Sequence, residues 1–403
     1  MNGRTITLAV VLGGLVLIWA GSFAYVMVTR AIYDVQRRVV NASERRTRRR
    51  LASAARADDE VDVDRMLRRL RVATLLHAAA NTSTPTPVAR VFSRHLLRRA
   101  EQHIRKLLVP RTGGRWQRVA ALRVAALGGL PHAPALLVDA IHSPDEDVQA
   151  AGVRILGELG TADAQRALVE TLKDGAFARS RVAAQLEGQQ QLSVETLRPL
   201  LEDPEPVVRY WGVKLLEHAS GDPSVTDALL AAAADDDASV RAGAAASLSR
   251  DPSDRATATL IALLVDGAAQ VRLHAARSIG RRGTAPAAPQ VASLLSDRDW
   301  WVRTAAKRAL ESLGTDGVRA VLPHLEANDG FARNGAAEIL QNLGVVRALV
   351  DRVAGSTNGD GEAAAGELAP ILAAGGTRFA SLAVEHLDHD DGTRVHALVE
   401  RAS

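Results

Sequence analysis

The residues best suited to ligate a metal ion lie together near the C-terminus. Imidazole nitrogens and carboxylate oxygens are common ligands of zinc and related cations. His386 and His389 would share one face of a helix, because they are three positions apart in the sequence. Further titratable side chains surround this pair: Glu385, Asp390, Asp391 and His396. The other interpretation is a polar surface that caps the last helix. We predict no metal and no cofactor, with His386 and His389 kept as the alternative.

Motifs of known catalytic sites are absent from the sequence. The chain has no P-loop, no G-x-S-x-G nucleophile elbow, no G-x-G-x-x-G dinucleotide motif and no H-E-x-x-H zinc motif. It also has no cysteine, which excludes disulfides and thiol chemistry. The sequence therefore predicts no catalytic residue and a protein that is not an enzyme.

Aromatic side chains are the candidates for partner contacts. They make up only 3% of the chain. Seven of them fall at the start of evenly spaced helical segments: Trp116, Phe177, Tyr210, Trp211, Trp300, Trp301 and Phe331. Two interpretations stay open. The rings either fill gaps between Ala-rich helices, or form an exposed row that anchors a partner. Trp300 is the better candidate, because its equivalents in other segments are Ala or Pro.

The charge of the chain is divided between two regions. Residues 30–118 carry 22 Lys and Arg against 8 Asp and Glu, whereas residues 119–403 carry 27 against 38. The overall net charge of +4 and the pI near 9.8 therefore reflect one basic segment. This distribution argues against a nucleic-acid partner and predicts an acidic surface over the larger part of the protein.

The first region of the chain has the pattern of a membrane anchor. Residues 5–29 contain no charged side chain, and as a helix they would span about 37 Å, enough for a lipid bilayer. A cleaved signal peptide is the alternative, but the apolar run is too long for one. We predict a single transmembrane helix and contact with the lipid bilayer through residues 5–29.

A cluster of arginines follows this anchor and predicts its orientation. The positive-inside rule places the basic flank, and with it residues 30–403, on the cytoplasmic side of the membrane. The predicted location is a bacterial inner membrane, with the N-terminus outside. The cluster either binds anionic lipid headgroups or only sets the topology. Its members are Arg37, Arg38, Arg45, Arg46, Arg48, Arg49 and Arg50.

Internal repeats determine the predicted fold. A V-R pair opens related segments, and eight copies of the aligned position follow one another at intervals of 30–32 residues. Each segment has apolar residues at helical spacing and is followed by a second apolar helical segment, so one unit is a pair of helices. Such pairs bury their apolar faces by stacking. The copies are aligned on Arg118, Gln149, Arg179, Arg209, Arg241, Arg272, Arg303 and Arg333.

Glycines near the ends of the Arg-bearing helices are interpreted as C-caps, where a left-handed backbone ends a helix. They are Gly128, Gly160, Gly280, Gly314 and Gly344. The fold prediction is thus all-α: an N-terminal transmembrane helix followed by a right-handed α-solenoid of about eight to ten helix pairs.

At this spacing the sequence resembles HEAT repeats, in particular the short variety also seen in phycobilin lyases. The resemblance covers residues 112–352 and implies that an Asp in the turn and an Arg six residues later form hydrogen bonds between successive repeats. It also implies that the Arg-bearing helix lines the concave face. The matching positions are Asp203, Arg209, Asp235, Arg241, Asp266, Arg272, Asp297 and Arg303.

Two copies depart from this pattern, since Gln149 replaces Arg and the Asp position holds Ser143 and Lys173. Deoxyhypusine hydroxylase, a HEAT-repeat enzyme, holds iron with His-Glu pairs, and no His-Glu pair occurs here. The resemblance therefore predicts the fold but does not indicate an activity.

The predicted domains are a transmembrane anchor (1–29), a basic juxtamembrane helix (30–57), an N-terminal helical cap (58–110), the HEAT-like solenoid (111–352) and degenerate C-terminal repeats (353–403). The cap consists of two amphipathic helices separated by the loop NTSTPTP, and a flexible interruption is expected from Ser356.

These features together predict a membrane-tethered cytoplasmic scaffold that binds a protein partner. Two alternatives stay open. The first is an accessory subunit of a membrane enzyme such as a cell-envelope polymer synthase, and the second is a lyase-like or metal-dependent HEAT-repeat enzyme.

Overall fold

The computed structural model describes residues 86–109, 114–189, 192–219, 224–355, 359–385, 387 and 389–402, together with positions 27, 72, 75 and 76. These residues form helices and turns without any strand, which confirms the predicted all-α fold. The predicted membrane anchor and basic juxtamembrane helix lie outside the described ranges. No described helix has both the length and the hydropathy needed to cross a bilayer.

Nineteen α-helices follow one another in the described part of the chain. Their bounds are α1 Thr86–Leu108, α2 Arg115–Gly128, α3 Ala133–Ile141, α4 Glu146–Leu159, α5 Ala162–Asp174, α6 Arg179–Glu187, α7 Val194–Leu201, α8 Pro206–Leu215, α9 Val225–Ala232, α10 Ala238–Ser247, α11 Asp254–Leu263, α12 Ala269–Arg282, α13 Ala288–Ser293, α14 Trp300–Ser312, α15 Thr315–Val321, α16 Gly330–Asn342, α17 Val345–Gly355, α18 Gly359–Val384 and α19 His389–Ala402. Short 3-10 turns extend α8, α10, α13 and α15.

The chain divides into two compact units, residues 1–167 and 168–403. In the first unit, α1 packs on α2, and α2 packs on α4. Phe92, Leu96 and Ile104 of α1 are buried against Val124 of α2, so α1 covers the first Arg-bearing helix as the predicted cap would. The helix begins at Thr86, inside the predicted loop NTSTPTP. A proline is tolerated in the first turn of a helix, because the backbone N–H that it lacks would have no hydrogen-bond partner there.

A buried ion pair also joins helices of the first unit. Arg123 of α2 is 2% exposed, and its Nε donates a hydrogen bond of 2.8 Å to Glu158 of α4. The sequence did not predict this pair, because Arg123 lies on the apolar side of its helix, where a charge is costly without a partner.

In the second unit the Arg-bearing helices α6, α8, α10, α12, α14 and α16 each pack on the next one, and α16 packs on α18. Their shared core consists of small and branched apolar side chains; in α14, Val302 and Ala306 are fully buried. Acidic N-caps define several helix starts. In α14, for example, Asp299 accepts hydrogen bonds from the backbone N–H groups of Trp301 and Val302.

The predicted glycine caps need two corrections. Gly128 and Gly280 lie inside helices, and the left-handed residues that end those helices are Gly129 and Gly283. Gly280 instead permits close packing, because a Cβ atom there would lie 2.8 Å from the Cα of Ala309 in α14. The glycines at positions 160, 314 and 344 do have positive φ.

The predicted flexible interruption after Ser356 is also wrong over most of its length. Helix α18 begins at Gly359 and continues through the remainder of the segment, with a non-helical residue at Gly376. The acidic start of α18 stabilises it there: Asp360 accepts a hydrogen bond of 2.9 Å from Arg352, at the end of α17.

Candidate functional site

Arginines at the start of the repeat helices join successive repeats of the second unit. Arg209 donates two hydrogen bonds of 2.8 Å to the carboxylate of Asp235, and Arg241 pairs with Asp266 in the same way. Each Arg also donates to backbone carbonyls of its own turn, as Arg209 does to Asp203. For Arg209 and Arg241 the carboxylate partner is thus the Asp of the following repeat.

Burial within this ladder is greatest for Arg272 and Asp297. Their side chains are 8% and 7% exposed, and their two hydrogen bonds measure 2.7 and 2.8 Å. Burial raises the pKa of Asp297, but hydrogen bonds from Arg272 and from the N–H of Asp299 outweigh it, so the pKa lies below its usual range. For Asp266 the hydrogen bond from Arg241 is the largest cause of a lowered pKa.

The ladder changes partners at both ends. Gln149 donates to the carbonyl of Ser143, and Arg179 pairs with Glu205 at 2.8 Å. The Asp297 carboxylate binds Arg272 of the preceding repeat, and Arg303 reaches only the backbone carbonyl of Asp297. The repeat after Arg303 has Ala327 where the ladder needs an Asp.

Phe331 of α16 takes the place of this missing carboxylate. The guanidinium carbon of Arg303 lies 4.1 Å from the centre of the Phe331 ring. A cation above an aromatic face is attracted by the ring quadrupole, so this contact links α14 to α16 as the ion pairs link the earlier helices. Arg303 therefore joins Phe331 to the helix that carries Trp300 and Trp301.

The three aromatic side chains at the starts of α14 and α16 are exposed. Trp300, Trp301 and Phe331 are 56%, 58% and 60% exposed, and the two indole rings meet edge to face at 4.5 Å. The gap-filling interpretation is thus wrong for all three. The sequence favoured Trp300 over Trp301, but the structure exposes them equally. The cap of α14 joins the Asp299 carboxylate to the backbone N–H groups of Trp301 and Val302 and uses neither indole ring.

The other predicted aromatics differ in burial. Trp116, in the first unit, is 59% exposed and lies beside Arg115 at 5.4 Å. In the second unit, Phe177, Tyr210 and Trp211 are half-buried. Tyr210 does fill space between repeats, since it packs beside Gly243 of α10, and its ring meets that of Trp211 at 5.9 Å.

A groove in the second unit was missed by the sequence analysis. It has a volume of about 620 Å³ and crosses α8, α10 and α12. Its floor is formed by small residues of α10, and its walls include Tyr210 of α8 and His274 of α12. The signal was present in the repeat alignment, because Ser239, Gly243 and Ala246 are small where neighbouring repeats have long side chains.

The remaining predicted sites are only partly described. His386 lies outside the described residues, and the prediction that it pairs with His389 stays a prediction. His389 itself is exposed. Among the residues that the structure describes, no three His, Asp or Glu side chains form a metal-binding group. The arginines from Arg37 to Arg50 lie outside the described ranges too.

Comparison with known proteins concerns the repeats. A family model described as HEAT repeats matches residues 178–249, 194–271 and 257–341. No curated protein matches the sequence. Among solved structures, a mutant of the karyopherin Kap121p is 13% identical with a TM-score of 0.44; the match covers 85% of this chain and 47% of the karyopherin. This chain therefore spans about half the length of that karyopherin.

Two smaller proteins are also similar. Human deoxyhypusine hydroxylase is 18% identical with a TM-score of 0.26, over 63% of this chain and 98% of the enzyme. The complex of CpcE and CpcF of phycocyanin lyase from a Nostoc species is 20% identical with a TM-score of 0.28, over 67% of this chain and 94% of the matched chain. The match of residues 178–341 to HEAT repeats agrees with the resemblance seen in the sequence.

Proposed function

We propose that this protein is a HEAT-repeat scaffold that binds a protein partner from a membrane-tethered position. The observation that carries the proposal is the exposure of Trp300, Trp301 and Phe331 at the starts of α14 and α16, the Arg-bearing helices of two successive repeats. Contiguous exposed apolar side chains are uncommon on monomeric proteins and mark interaction sites, and Trp is the residue most enriched among binding hot spots.

The fold does not need the two tryptophans, which supports a role in binding. Helix α14 is stabilised by its buried Val302 and Ala306 and by its Asp299 cap, none of which uses an indole ring. Equivalent helices begin with Ala238 and Ala269. Replacing both tryptophans by alanine is therefore expected to leave the free energy of unfolding nearly unchanged.

Crosslinking capture with the full-length chain tests the scaffold function. Wild type is compared with Trp300→Ala/Trp301→Ala and with Val265→Ala, a control whose side chain is 82% exposed elsewhere in the second unit. Removing a hot spot costs about 2 kcal/mol, or roughly 30-fold in affinity. We expect the double variant alone to lose the partner, at unchanged thermal stability. Equal capture by all three proteins would contradict the proposed site.

The membrane tether rests on residues 5–29 and the arginines that follow them. The proposed location is a bacterial inner membrane, with the N-terminus outside and the repeats in the cytoplasm. Because the chain has no cysteine, Asn2→Cys and Ser403→Cys each introduce one label site. In intact cells an impermeant maleimide should label position 2 and not position 403. The reverse pattern, or labelling of neither in the membrane fraction after permeabilisation, would contradict this topology.

A further inference from the structure

The groove across α8, α10 and α12 is created by the side chains of α10. One stripe of each repeat helix contains the positions two residues before the ladder Arg and two and five residues after it, which share a helix face. In α10 these are Ser239, Gly243 and Ala246. The small residues leave an open floor between the larger side chains of the neighbouring helices.

The walls of the groove combine apolar and polar groups. Val207 and Tyr210 lie on the α8 side, whereas Gln270 and His274 lie on the α12 side. Aromatic and apolar walls beside a floor of small residues fit the alternating side chains of an extended peptide, and the polar groups can bind its backbone.

Cations that have no carboxylate partner among the described residues continue the stripe beyond the groove. Arg277 and Arg281 follow His274 on the same face of α12, and Arg308 of α14 is the equivalent of Arg277 one repeat later. All three are exposed, and Arg281 donates only to the Ser278 hydroxyl among the contacts of the described residues. This distinguishes them from Arg209, whose charge is matched by Asp235.

The electrostatics of His274 report the same local excess of positive charge. Burial lowers its pKa most, and the charges of Arg277 and Arg281 lower it further. On the other side of the groove, Lys214 of α8 occupies the position equivalent to Arg277 and lies 4.9 Å from the Trp211 ring. The carboxylate of Asp237 at the groove's edge is already bound to the N–H groups of Ser239 and Val240.

Building on the scaffold function, we propose that the partner presents an extended acidic segment with apolar side chains, which binds in the groove of α8, α10 and α12. Its carboxylates would pair with Lys214, Arg277 and Arg308. Neighbouring helices lie about 8–10 Å apart and an extended chain advances about 3.3 Å per residue. About 12 residues therefore span the five helices α8, α10, α12, α14 and α16. Such a segment also reaches Trp301 and Phe331.

The charge of this stripe differs from that of the acidic surface predicted from the sequence. Residues 119–403 carry a net negative charge. The local charge along the stripe is positive, and contacts within a groove respond to nearby charges more than to the sum over a unit, because salt screens beyond about 8–10 Å.

Fluorescence anisotropy with the full-length chain in detergent tests the proposal. The probe is a fluorescein-labelled 12-residue peptide that repeats Asp-Leu-Glu-Phe, and its counterpart has Lys in place of Asp and Glu. We expect the acidic peptide to bind at least tenfold more tightly. Arg277→Glu/Arg308→Glu should weaken it about tenfold or more, since two attractions become repulsions. Ser239→Trp should also weaken it by filling the groove from an exposed position.

Arg378→Glu is the charge control, because Arg378 is exposed on α18, outside the groove. Equal affinity for the two peptides, or equal weakening by the control, would overturn the proposal. So would displacement of the peptide by a single-stranded oligonucleotide of equal charge, which would indicate a general polyanion surface. Partner capture that survives Arg277→Glu/Arg308→Glu but not Trp300→Ala/Trp301→Ala would reject the groove and leave the scaffold function intact.

Discussion

Removal of Arg272 offers the sharpest test of how the repeats are held together. The variant Arg272→Ala deletes two hydrogen bonds to the Asp297 carboxylate and two to the carbonyls of Asp266 and Gly267. It leaves the Asp297 carboxylate without its cationic partner, and the Asp297 side chain is only 7% exposed in the wild type. Asp297 keeps one hydrogen bond, of 2.8 Å, from the N–H of Asp299.

The expected magnitude follows from that burial. Breaking a buried ion pair by removal of one partner costs about 3–5 kcal/mol. The remaining hydrogen bond and the position of the pair near the surface reduce this, so we expect a loss of about 2–3 kcal/mol in the free energy of unfolding. In a repeat array the loss is largest at the interface concerned, between α12 and α14.

Arg255→Ala is the matched control. Arg255 and Asp227 also pair at 2.8 Å, but their side chains are 66% and 67% exposed. An exposed pair contributes little, so the loss should stay below about 0.5 kcal/mol. Urea unfolding followed by circular dichroism measures both variants, and hydrogen exchange locates the effect in α12 and α14. Equal destabilisation by the two substitutions would refute the argument from burial.

Two further perturbations test the same packing. Because the folded pKa of Asp297 lies below its unfolded value of about 3.9, its stabilising contribution is present above that pH and is lost as the pH falls through the folded pKa. Acid unfolding below about pH 4 should therefore depend less steeply on pH in Asp297→Asn, which a circular-dichroism titration measures; an unchanged slope would contradict the depressed pKa. Gly280→Ala should destabilise the protein by about 1–3 kcal/mol, since the new Cβ meets the backbone of Ala309. Gly267→Ala, with open space around it, should not, and thermal unfolding compares the two.

The helical-repeat fold was predictable because it depends on local, recurring signals. Apolar spacing defines each helix, and a repeat of 30–32 residues identifies the stacked unit. Predictions that depend on a single residue type were wrong more often than those that depend on a repeated pattern. Gly280 has the residue type of a C-cap, but the close approach of Ala309 is what requires glycine there. Likewise, the Gly and Asp content after Ser356 indicated a loop, where neighbouring helices instead support α18.

The candidate site needed the tertiary structure for a different reason. The sequence by itself places Trp300, Trp301 and Phe331 at the starts of neighbouring helices. Whether a ring at such a position fills a gap or faces solvent depends on the side chains of the next repeat. Ala327 leaves Arg303 free to contact Phe331, and the small face of α10 opens the groove beside Tyr210. Local pattern thus determined which helices form and in what order, whereas exposure and charge pairing arise between repeats and were decided only by their packing.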